Sequence, residues 1–465
     1  MLLSSEYGTN KNKIRSCLSA GENFDIIERR IDVAGGEVCF FYIDGFVKDG
    51  EMQRVMQFML SQKELGNATE VLSKIPYVEV DVVHTEEEVL RGILSGQSAM
   101  LAASFGDSCI MIDARTYPAR STAEPDSDRV MQGAHDGFVE TLVMNTALIR
   151  RRIRDTRLTM LHFDMGGSSK TDVVMCFMRG VADEKTVSEV KKKLSEANPK
   201  SLTLGFQSLA ESLIKRGWLN PFPKIRTTER PDTAAAHLLE GRVVVLCDTS
   251  PQAMILPTSI FDYLQQTDDY YYPPLTGTYL RFVRVAILLL SVVITPLWYL
   301  CIEFSAVLPE SLAFLVPDEP GALPIILQLL LVEAAIDGLK IASMNTPDML
   351  SNSLSVVGAL ILGDFAVGVG WLCPDVILYM AFVAIANFAQ QNHELGYAFK
   401  FMRVVILLLV FFLGIWGFAL GILLFIYLVC TNTTVLGKSY LYPLIPFNKK
   451  AFLRLLFRRK KDDFY

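Results

Sequence analysis

The sequence predicts a fold of two mixed α/β subdomains followed by an α-helical transmembrane domain of four to six helices. The chain of 465 residues is 51% hydrophobic, and its mean hydropathy of +0.32 is high for a soluble protein of this length. The apolar residues are also unevenly distributed. Charged and apolar residues are mixed up to about residue 276, whereas residues 285–430 are mainly Leu, Ile, Val and Phe. The first part is therefore expected to fold in water and the second in lipid.

Turn residues and hydrophobic periodicity divide the first half further. Two apolar runs, 36–47 and 99–114, predict strands around helical sequence. In the second unit, residues 158–181 predict two strands joined by a Gly-Gly-Ser-Ser turn, and residues 242–250 predict a short buried strand. No secretory leader is recognised, so both subdomains are expected in the cytoplasm. The predicted parts are subdomain 1 (1–118), a linker (119–157), subdomain 2 (158–275), the transmembrane domain (276–435) and a basic cytoplasmic tail (436–465).

The second half contains five apolar runs, at residues 285–302, 324–344, 353–372, 374–388 and 404–430. Arg281 and Arg284 precede the first run and a Lys/Arg-rich tail follows the last, so both ends are expected in the cytoplasm, facing anionic membrane lipid. This expectation requires an even number of crossings. Either the second or the fourth run does not cross fully, or the last run is a hairpin broken near Gly414 or Gly417.

The second run carries three ionisable residues at helical spacing. Glu333, Asp337 and Lys340 lie at positions i, i+4 and i+7, which places them on one face of a helix. Facing lipid, each charge would cost about 2.5–3.5 kcal/mol even on the mildest insertion scale. The stripe is expected to face protein, water or the interface. Two interpretations stay open: an internal pair of Glu333 or Asp337 with Lys340, and a water-lined ion pathway, which is favoured because ionisable residues inside membranes are usually functional.

The third run carries a fourth ion-pathway candidate, Asp364. Ser355, Ala359 and Gly363 recur at every fourth position beside it and predict a stripe on which another helix packs closely. Asp364 either pairs with backbone groups and polar neighbours or contacts ions directly, and the sequence favours neither interpretation.

Several function classes are not supported. The formal charge of −6 argues against nucleic acid as a partner. The eight cysteines lack a Cys-x-x-Cys motif, so neither a metal site nor a cofactor is predicted. The stretch "GGSSKT" ends in the Lys-Thr of a phosphate-binding loop. The two positions where such a loop needs glycine are, however, occupied by Asp164, just before this stretch, and by Ser169 within it. No catalytic constellation can be assembled from the five histidines, and the chain is not predicted to be an enzyme.

Three long segments, residues 124–155, 220–257 and 355–378, closely resemble the GerA spore germination family. This family includes the A subunits of nutrient germinant receptors and the paralogous stage V sporulation AF proteins. The resemblance runs from about residue 25 to the C-terminus. The usual Arg-Gly-Pro-Arg-Glu-Gly-Phe motif of the family is replaced by "QGAHDGF", so Gln132 and His135 stand where the family has arginines. The Arg-rich stretch 149–155 is interpreted either as a solvated helix face or as a subunit interface.

The resemblance implies an inner-membrane protein of endospores with a cytoplasmic N-terminal region. It also implies other germination membrane subunits as partners, and a membrane domain that assembles as a homo-oligomer, expected to be a pentamer, into a channel for monovalent cations. In such an oligomer, Glu333 from each copy would form a ring of carboxylates around a shared axis, and Asp337 a second ring. Lys340 is expected to pair with Asp337 when the channel is shut.

Two other functions remain open from the sequence. A secondary transporter is indicated by the proline at residue 374, which interrupts an apolar stretch close to Asp364. A membrane-anchored scaffold or signalling subunit is indicated by the large cytosolic half.

Overall fold

The computed structural model describes residues 2–115, 133–197, 199–214, 220–266, 268–345, 366–390 and 392–457. Subdomain 1 contains α1 (Tyr7–Leu18), β1 (Ile26–Val33), β2 (Gly36–Ile43), α2 (Asp49–Ser61), α3 (Ala68–Leu72), β3 (Val80–Val83), α4 (Glu86–Leu94), β4 (Ser98–Ala102) and β5 (Cys109–Ile112). Its five strands form one antiparallel sheet in the order β1-β2-β4-β5-β3.

Both faces of this sheet are buried, which explains why β2 is almost continuously apolar. Phe41 of β2 packs with α1 and α4 on one face, and Phe40 packs with α2 and α3 on the other. Both side chains are fully buried.

Subdomain 2 has the same order of elements. It contains α5 (Leu142–Arg152), β6 (Leu158–Met165), β7 (Thr171–Met178), α6 (Glu184–Glu196), α7 (Phe206–Leu213), β8 (Arg226–Thr228), α8 (Pro231–Leu239), β9 (Val243–Cys247) and β10 (Ala253–Leu256). The strand order is β6-β7-β9-β10-β8, again antiparallel throughout. The two subdomains therefore share one topology, and their antiparallel sheets make them α+β units rather than parallel α/β units.

The segment predicted as a linker contributes a helix to this second unit. Leu142, Leu148 and Ile149 of α5 lie in the core that α8 forms against the sheet. The sequence 166–170 forms the turn between β6 and β7, as expected for a hairpin tip.

A buried ion pair joins the two subdomains. Arg150, on α5, donates to both carboxylate oxygens of Asp25 at 2.7 and 3.1 Å, and to the carbonyl of Leu158. Both charged side chains are fully buried. The adjacent backbone extends the contact, because the Phe24 amide donates to the Met160 carbonyl at 2.8 Å. Part of the Arg-rich stretch is therefore an interface within the chain, neither a solvated face nor a contact between subunits.

Replacing Arg150 with Met is expected to lower the free energy of unfolding by about 3–5 kcal/mol, because Asp25 would remain buried without its partner. Denaturant pulse proteolysis of the full chain in a neutral detergent measures this change. Arg157→Met is the matched control, since Arg157 and Asp155 form an exposed pair whose loss costs about 0–1 kcal/mol. Equal effects of the two substitutions would show that the buried pair does not hold the subdomains together.

The second half forms helices α9 (Asp268–Tyr271), α10 (Pro274–Glu303), α11 (Ile325–Asn345), α12 (Pro374–Phe388), α13 (His393–Thr431) and α14 (Lys449–Leu456). Within the described ranges, α10 and α13 are long and apolar enough to cross a membrane. Helix α11 has 21 residues but carries three charges, and α12 has 15. Arg281 and Arg284 do not form an open basic rim, because both pair with the buried Asp269 at 3.4 and 3.0 Å.

Helix α13 is a helical hairpin, as one of the two sequence-based alternatives predicted. Gly414 has φ +56° and ψ −132°, a conformation outside the helical region that favours glycine. Beyond it the chain turns back, so that the rings of Phe399 and Phe425 lie 5.5 Å apart. A Cβ atom added at Gly417 would lie 1.9 Å from the Leu409 carbonyl oxygen. Only glycine therefore permits this approach of the two arms.

Gly417→Ala is expected to destabilise the chain, because the new methyl group overlaps a backbone oxygen of the facing arm. Gly396→Ala, on the same helix with nothing within 4 Å, is expected to be stabilising by at most about 1 kcal/mol. Thermal unfolding of the two purified variants in the same detergent separates these outcomes. If both substitutions shift the midpoint in the same direction and by the same amount, the close-packed hairpin is wrong.

After the hairpin, residues 432–441 return to subdomain 2; we call this segment the return segment. Val435 packs into the core beneath α6 and α7, and the Ile260 amide donates to the Tyr440 carbonyl at 3.0 Å. Lys438 lies 3.1 Å from Asp183. Hydrogen bonds from Thr186 and Lys438 lower the pKa of Asp183 to about 2. The hairpin is therefore attached to subdomain 2 beyond its second arm.

Candidate functional site

Four charged side chains meet between α11 and α13. Glu333 Oε1 accepts a hydrogen bond of 2.6 Å from Arg403 Nη2 and lies 3.1 Å from Lys400 Nζ. Lys400 also forms an ion pair with Asp337. Arg403 Nη1 donates to the carbonyl of Ser291 on α10 at 3.1 Å. We call Glu333, Asp337, Lys400 and Arg403 the ion-pair cluster; through Arg403 it connects three helices.

The spacing of these residues in the sequence explains why they meet. Glu333 and Asp337 are one helical turn apart on α11, and Lys400 and Arg403 are one turn apart on α13. The two helices run antiparallel at this point, because Glu333 meets Arg403 whereas Asp337 meets Lys400. Two acids on one helix are thus matched to two bases on the other.

The cluster lies mostly out of contact with solvent. Arg403 is 1% exposed, and Glu333 and Lys400 are each 7% exposed. Two carboxylates and two bases balance to zero formal charge, so the group as a whole avoids most of the desolvation penalty of an isolated buried ion. Removal of any one member would leave the group with an uncompensated net charge in an apolar surrounding. Asp337 is the most accessible member, with 35% of its side chain exposed.

Lys340 does not pair with Asp337 in this structure. Its ammonium lies 4.8 Å from the centre of the Tyr397 ring in a cation–π arrangement. This contact lies about one helical turn further along the interface between α11 and α13. The predicted internal pair of Asp337 with Lys340, which was also the contact expected in the shut channel, is therefore not formed. Asp337 pairs with Lys400 instead. The stripe is paired internally, but through a different helix.

Glu333 points toward α13 of its own chain and is neutralised there. A ring of Glu333 carboxylates around a shared axis would need this side chain to leave Arg403. The arrangement described here is thus not that of an open acid ring. Asp364, Ser355, Ala359 and Gly363 lie outside the described residues, so their expected roles stay predictions.

A small cavity of about 30 Å³ adjoins the cluster and is lined by Asp337, Lys340, Asn387, His393 and Lys400. The amide oxygen of Asn387 is buried there and has no hydrogen-bond partner in the described part of the chain. Most of the lining is apolar, and the few polar groups in it provide hydrogen-bond partners for one water molecule. Across the described residues, no group of His, Cys, Asp and Glu has the arrangement of a metal site.

Comparison with known proteins identifies the family. The model of the Bacillus/Clostridium GerA spore germination proteins matches residues 12–463. The chain belongs to the GerA spore germination family. This confirms the resemblance found in the sequence, which the three long segments carried.

Two full-length relatives of this GerA-family chain support the same assignment, and one solved structure is also similar to it. Stage V sporulation protein AF of Bacillus subtilis is 35% identical over 97% of this chain and 92% of its own length. Spore germination protein KA of Bacillus subtilis is 27% identical over 96% of this chain and 84% of its own length. The N-terminal domain of the A subunit of the Bacillus megaterium spore germinant receptor GerK3 is 24% identical, with a TM-score of 0.42, and the match covers 55% of this chain and 96% of that domain.

The sequence patterns did not identify the two bases of the cluster as partners of the acids. Lys400 and Arg403 precede a long apolar run, and such residues are normally assigned to the membrane rim. One signal was available: Lys400 and Arg403 are about one helical turn apart, as Glu333 and Asp337 are. Matching acidic and basic pairs on two apolar helices indicate internal pairing.

The cluster predicts energetic coupling between Glu333 and Arg403. Each single replacement, Glu333→Leu or Arg403→Leu, is expected to destabilise the chain because it leaves an opposite charge buried. The double replacement is expected to be less harmful than the sum, with a coupling energy of about 0.5–3 kcal/mol. Chemical unfolding of the four proteins in one detergent measures this cycle. Strictly additive effects would mean that the two side chains do not pair.

Proposed function

We propose that this chain is a membrane subunit of the spore germination machinery that forms, together with further copies of itself, a pathway for monovalent cations. Membership of the GerA family supports the role in germination, and the buried ion-pair cluster supports the pathway. Ionisable side chains in apolar helices are costly and usually serve ion or proton movement. A homo-oligomer, expected to be a pentamer from the family resemblance, would bring the clusters of several chains around one axis.

In this proposal, residues 1–275 form the cytoplasmic half, residues 276–435 the transmembrane domain and residues 436–465 the basic tail. The domain lies in the inner membrane of the spore, contacts its lipids and works beside other germination membrane subunits. An even number of crossings, six in total, follows if the four preceding apolar runs and both arms of the α13 hairpin cross. The two arms contain 21 and 17 residues on either side of Gly414, which corresponds to about 31 and 26 Å.

The described conformation corresponds to a closed state of this pathway. Lys400 and Arg403 occupy the carboxylates that would attract a cation. Opening would move α13 relative to α11, so that Glu333 and Asp337 exchange these bases for water and passing cations. The Arg403 contact to Ser291 means that α10 must also adjust.

Subdomain 2 is positioned to control this movement. The hairpin that carries Lys400 and Arg403 is held to subdomain 2 by the return segment and by the Asn220 amide, which donates to the Leu428 carbonyl at 3.1 Å. A shift of subdomain 2 would therefore reach the second arm of α13, and it would reach the first arm through Phe222, whose ring lies 6.0 Å from that of Phe399. This connection gives the cytoplasmic half a direct mechanical route to the cluster.

Potassium flux from vesicles containing the purified chain tests the pathway. Glu333→Gln combined with Asp337→Asn is expected to lower the flux about tenfold or more, because cations would lose the carboxylates that concentrate them. Glu303→Gln with Glu310→Gln is the matched control, since it removes two exposed carboxylates outside the cluster.

Separate replacement of Lys400 and Arg403 by Gln is expected to raise the flux by releasing the two acids. Unchanged flux and unchanged selectivity after loss of both cluster acids would exclude them from the pathway. An intact protein that conducts no cation at all would overturn the channel itself.

A second candidate is a membrane-anchored scaffold or signalling subunit. The internal pairing of Glu333 favours it, because a fully paired cluster can serve to fix helix packing alone. In that case cluster variants would change stability and leave ion flux at its background value. Restoration of germination by residues 1–275 alone in a deletion strain would also favour the scaffold.

A further inference from the structure

Large apolar side chains are exposed at the end of the membrane helices nearest subdomain 2. They belong to the first turns of α10, the segment before α14 and the residue after it: Leu275, Tyr279, Phe282, Leu444, Ile445, Phe447 and Phe457. Leu275 is 83% and Phe447 64% exposed. We call this group the basal patch. A cluster of this kind on a soluble surface would promote aggregation, so a partner is expected to cover it.

The members of the basal patch form one surface because α14 is fastened to α10. Arg281 Nη1 donates to the Leu455 carbonyl at 2.8 Å. The rings of Phe282 and Phe457 meet edge to face with centres 6.1 Å apart, and those of Phe447 and Phe452 lie 5.9 Å apart. Helix α14 therefore lies against the beginning of α10 and does not project freely.

The length of α10 places this surface at the membrane boundary. Its 30 residues extend over about 45 Å, whereas a bilayer core is about 30 Å thick. The strongly apolar part is 285–302, so the excess length lies at the beginning of the helix, where Tyr279 and Phe282 are exposed. The first turns of α10 are thus expected among lipid headgroups, where aromatic side chains are favoured.

The charge of the adjoining sequence identifies the lipid class. Residues 449–461 contain seven basic residues and no acidic one. On α14, Lys450 and Arg454 are one helical turn apart, and the exposed Lys449 begins the helix. A short helix with basic and apolar positions, packed against the start of a long apolar helix, is typical of a segment that lies in the interface and attracts anionic headgroups.

We infer that α14 and the first turns of α10 form a binding site for anionic phospholipid headgroups, with the basal patch inserted beside the acyl chains. This inference rests on the proposed membrane location and adds a specific lipid contact to it. Bound lipid would hold the beginning of α10, and with it the Arg281 and Arg284 contacts to Asp269, in one position relative to the bilayer.

Native mass spectrometry of the full chain in neutral detergent tests the site. Phosphatidylglycerol is expected to bind more tightly than phosphatidylcholine with the same acyl chains. Replacing Lys449, Lys450 and Arg454 with Gln is expected to weaken this preference by roughly fivefold in affinity for each basic residue removed. The matched control replaces Lys48, Lys63 and Lys74 of subdomain 1 with Gln, which removes the same charge from exposed positions and should leave the preference unchanged.

Further arms of the experiment keep the inference falsifiable if the triple variant folds poorly. For the unaltered chain, 0.5 M salt should abolish the preference, because exposed charges are screened. Phe447→Ser should weaken phosphatidylglycerol binding while the basic residues remain. Equal binding of both lipids by the unaltered chain would overturn the inference. If free inorganic phosphate raises the thermal unfolding midpoint as much as phosphatidylglycerol does, the site binds simple anions instead of lipid. That result would overturn the inference as well.

The outcome is separable from that of the cation pathway. Loss of lipid preference with unchanged potassium flux removes only the lipid site. Conversely, absence of flux together with retained phosphatidylglycerol preference removes only the pathway.

Discussion

Pairing of charges inside an apolar bundle is the constraint on which the C-terminal half of the chain depends. Glu333 needs a base because its buried surroundings give it little water, and among the described residues α13 supplies bases at the heights of both Glu333 and Asp337. This requirement fixes the register of the two helices. Sliding α13 by one turn, about 5.4 Å, would leave Glu333 or Arg403 without its partner. Apolar packing alone tolerates such slippage far better, because it is not directional.

The same constraint connects the apolar helices to the N-terminal half of the chain. Lys400 and Arg403 are part of a hairpin, and a hairpin begins and ends on the same side of the bundle. Both ends therefore reach subdomain 2, where the return segment packs beneath α6 and α7. Subdomain 1 is joined to this body by the Asp25–Arg150 pair. Displacement of either subdomain is thus transmitted through buried, directional contacts, which shift between discrete arrangements and do not deform gradually.

Local patterns in the sequence predicted much of this architecture. Continuous apolar runs gave the strands buried on both faces, and Gly414 with Gly417 marked the break in the last apolar run. The sequence could not give the partner of each charge, since Lys400 and Arg403 are more than 60 positions from Glu333 and meet it only after folding. The shared topology of the two subdomains was equally hidden, because a sheet tolerates many apolar sequences. The pair of Asp25 and Arg150, 125 positions apart, was missed for the same reason.

Opening of the proposed pathway must be coupled to entry of water. Separating Glu333 from Arg403 in a dry bundle would leave two unpaired charges, at a cost of several kcal/mol for each. Water in the widened space would take over the lost hydrogen bonds and reduce this cost. The small cavity lined in part by Asp337 and Asn387 marks where such hydration can begin, because Asn387 carries a buried amide oxygen without a partner in the described part of the chain. Movement of α13 and hydration would then favour one another, so that a modest displacement of subdomain 2 suffices to shift the balance between closed and open states.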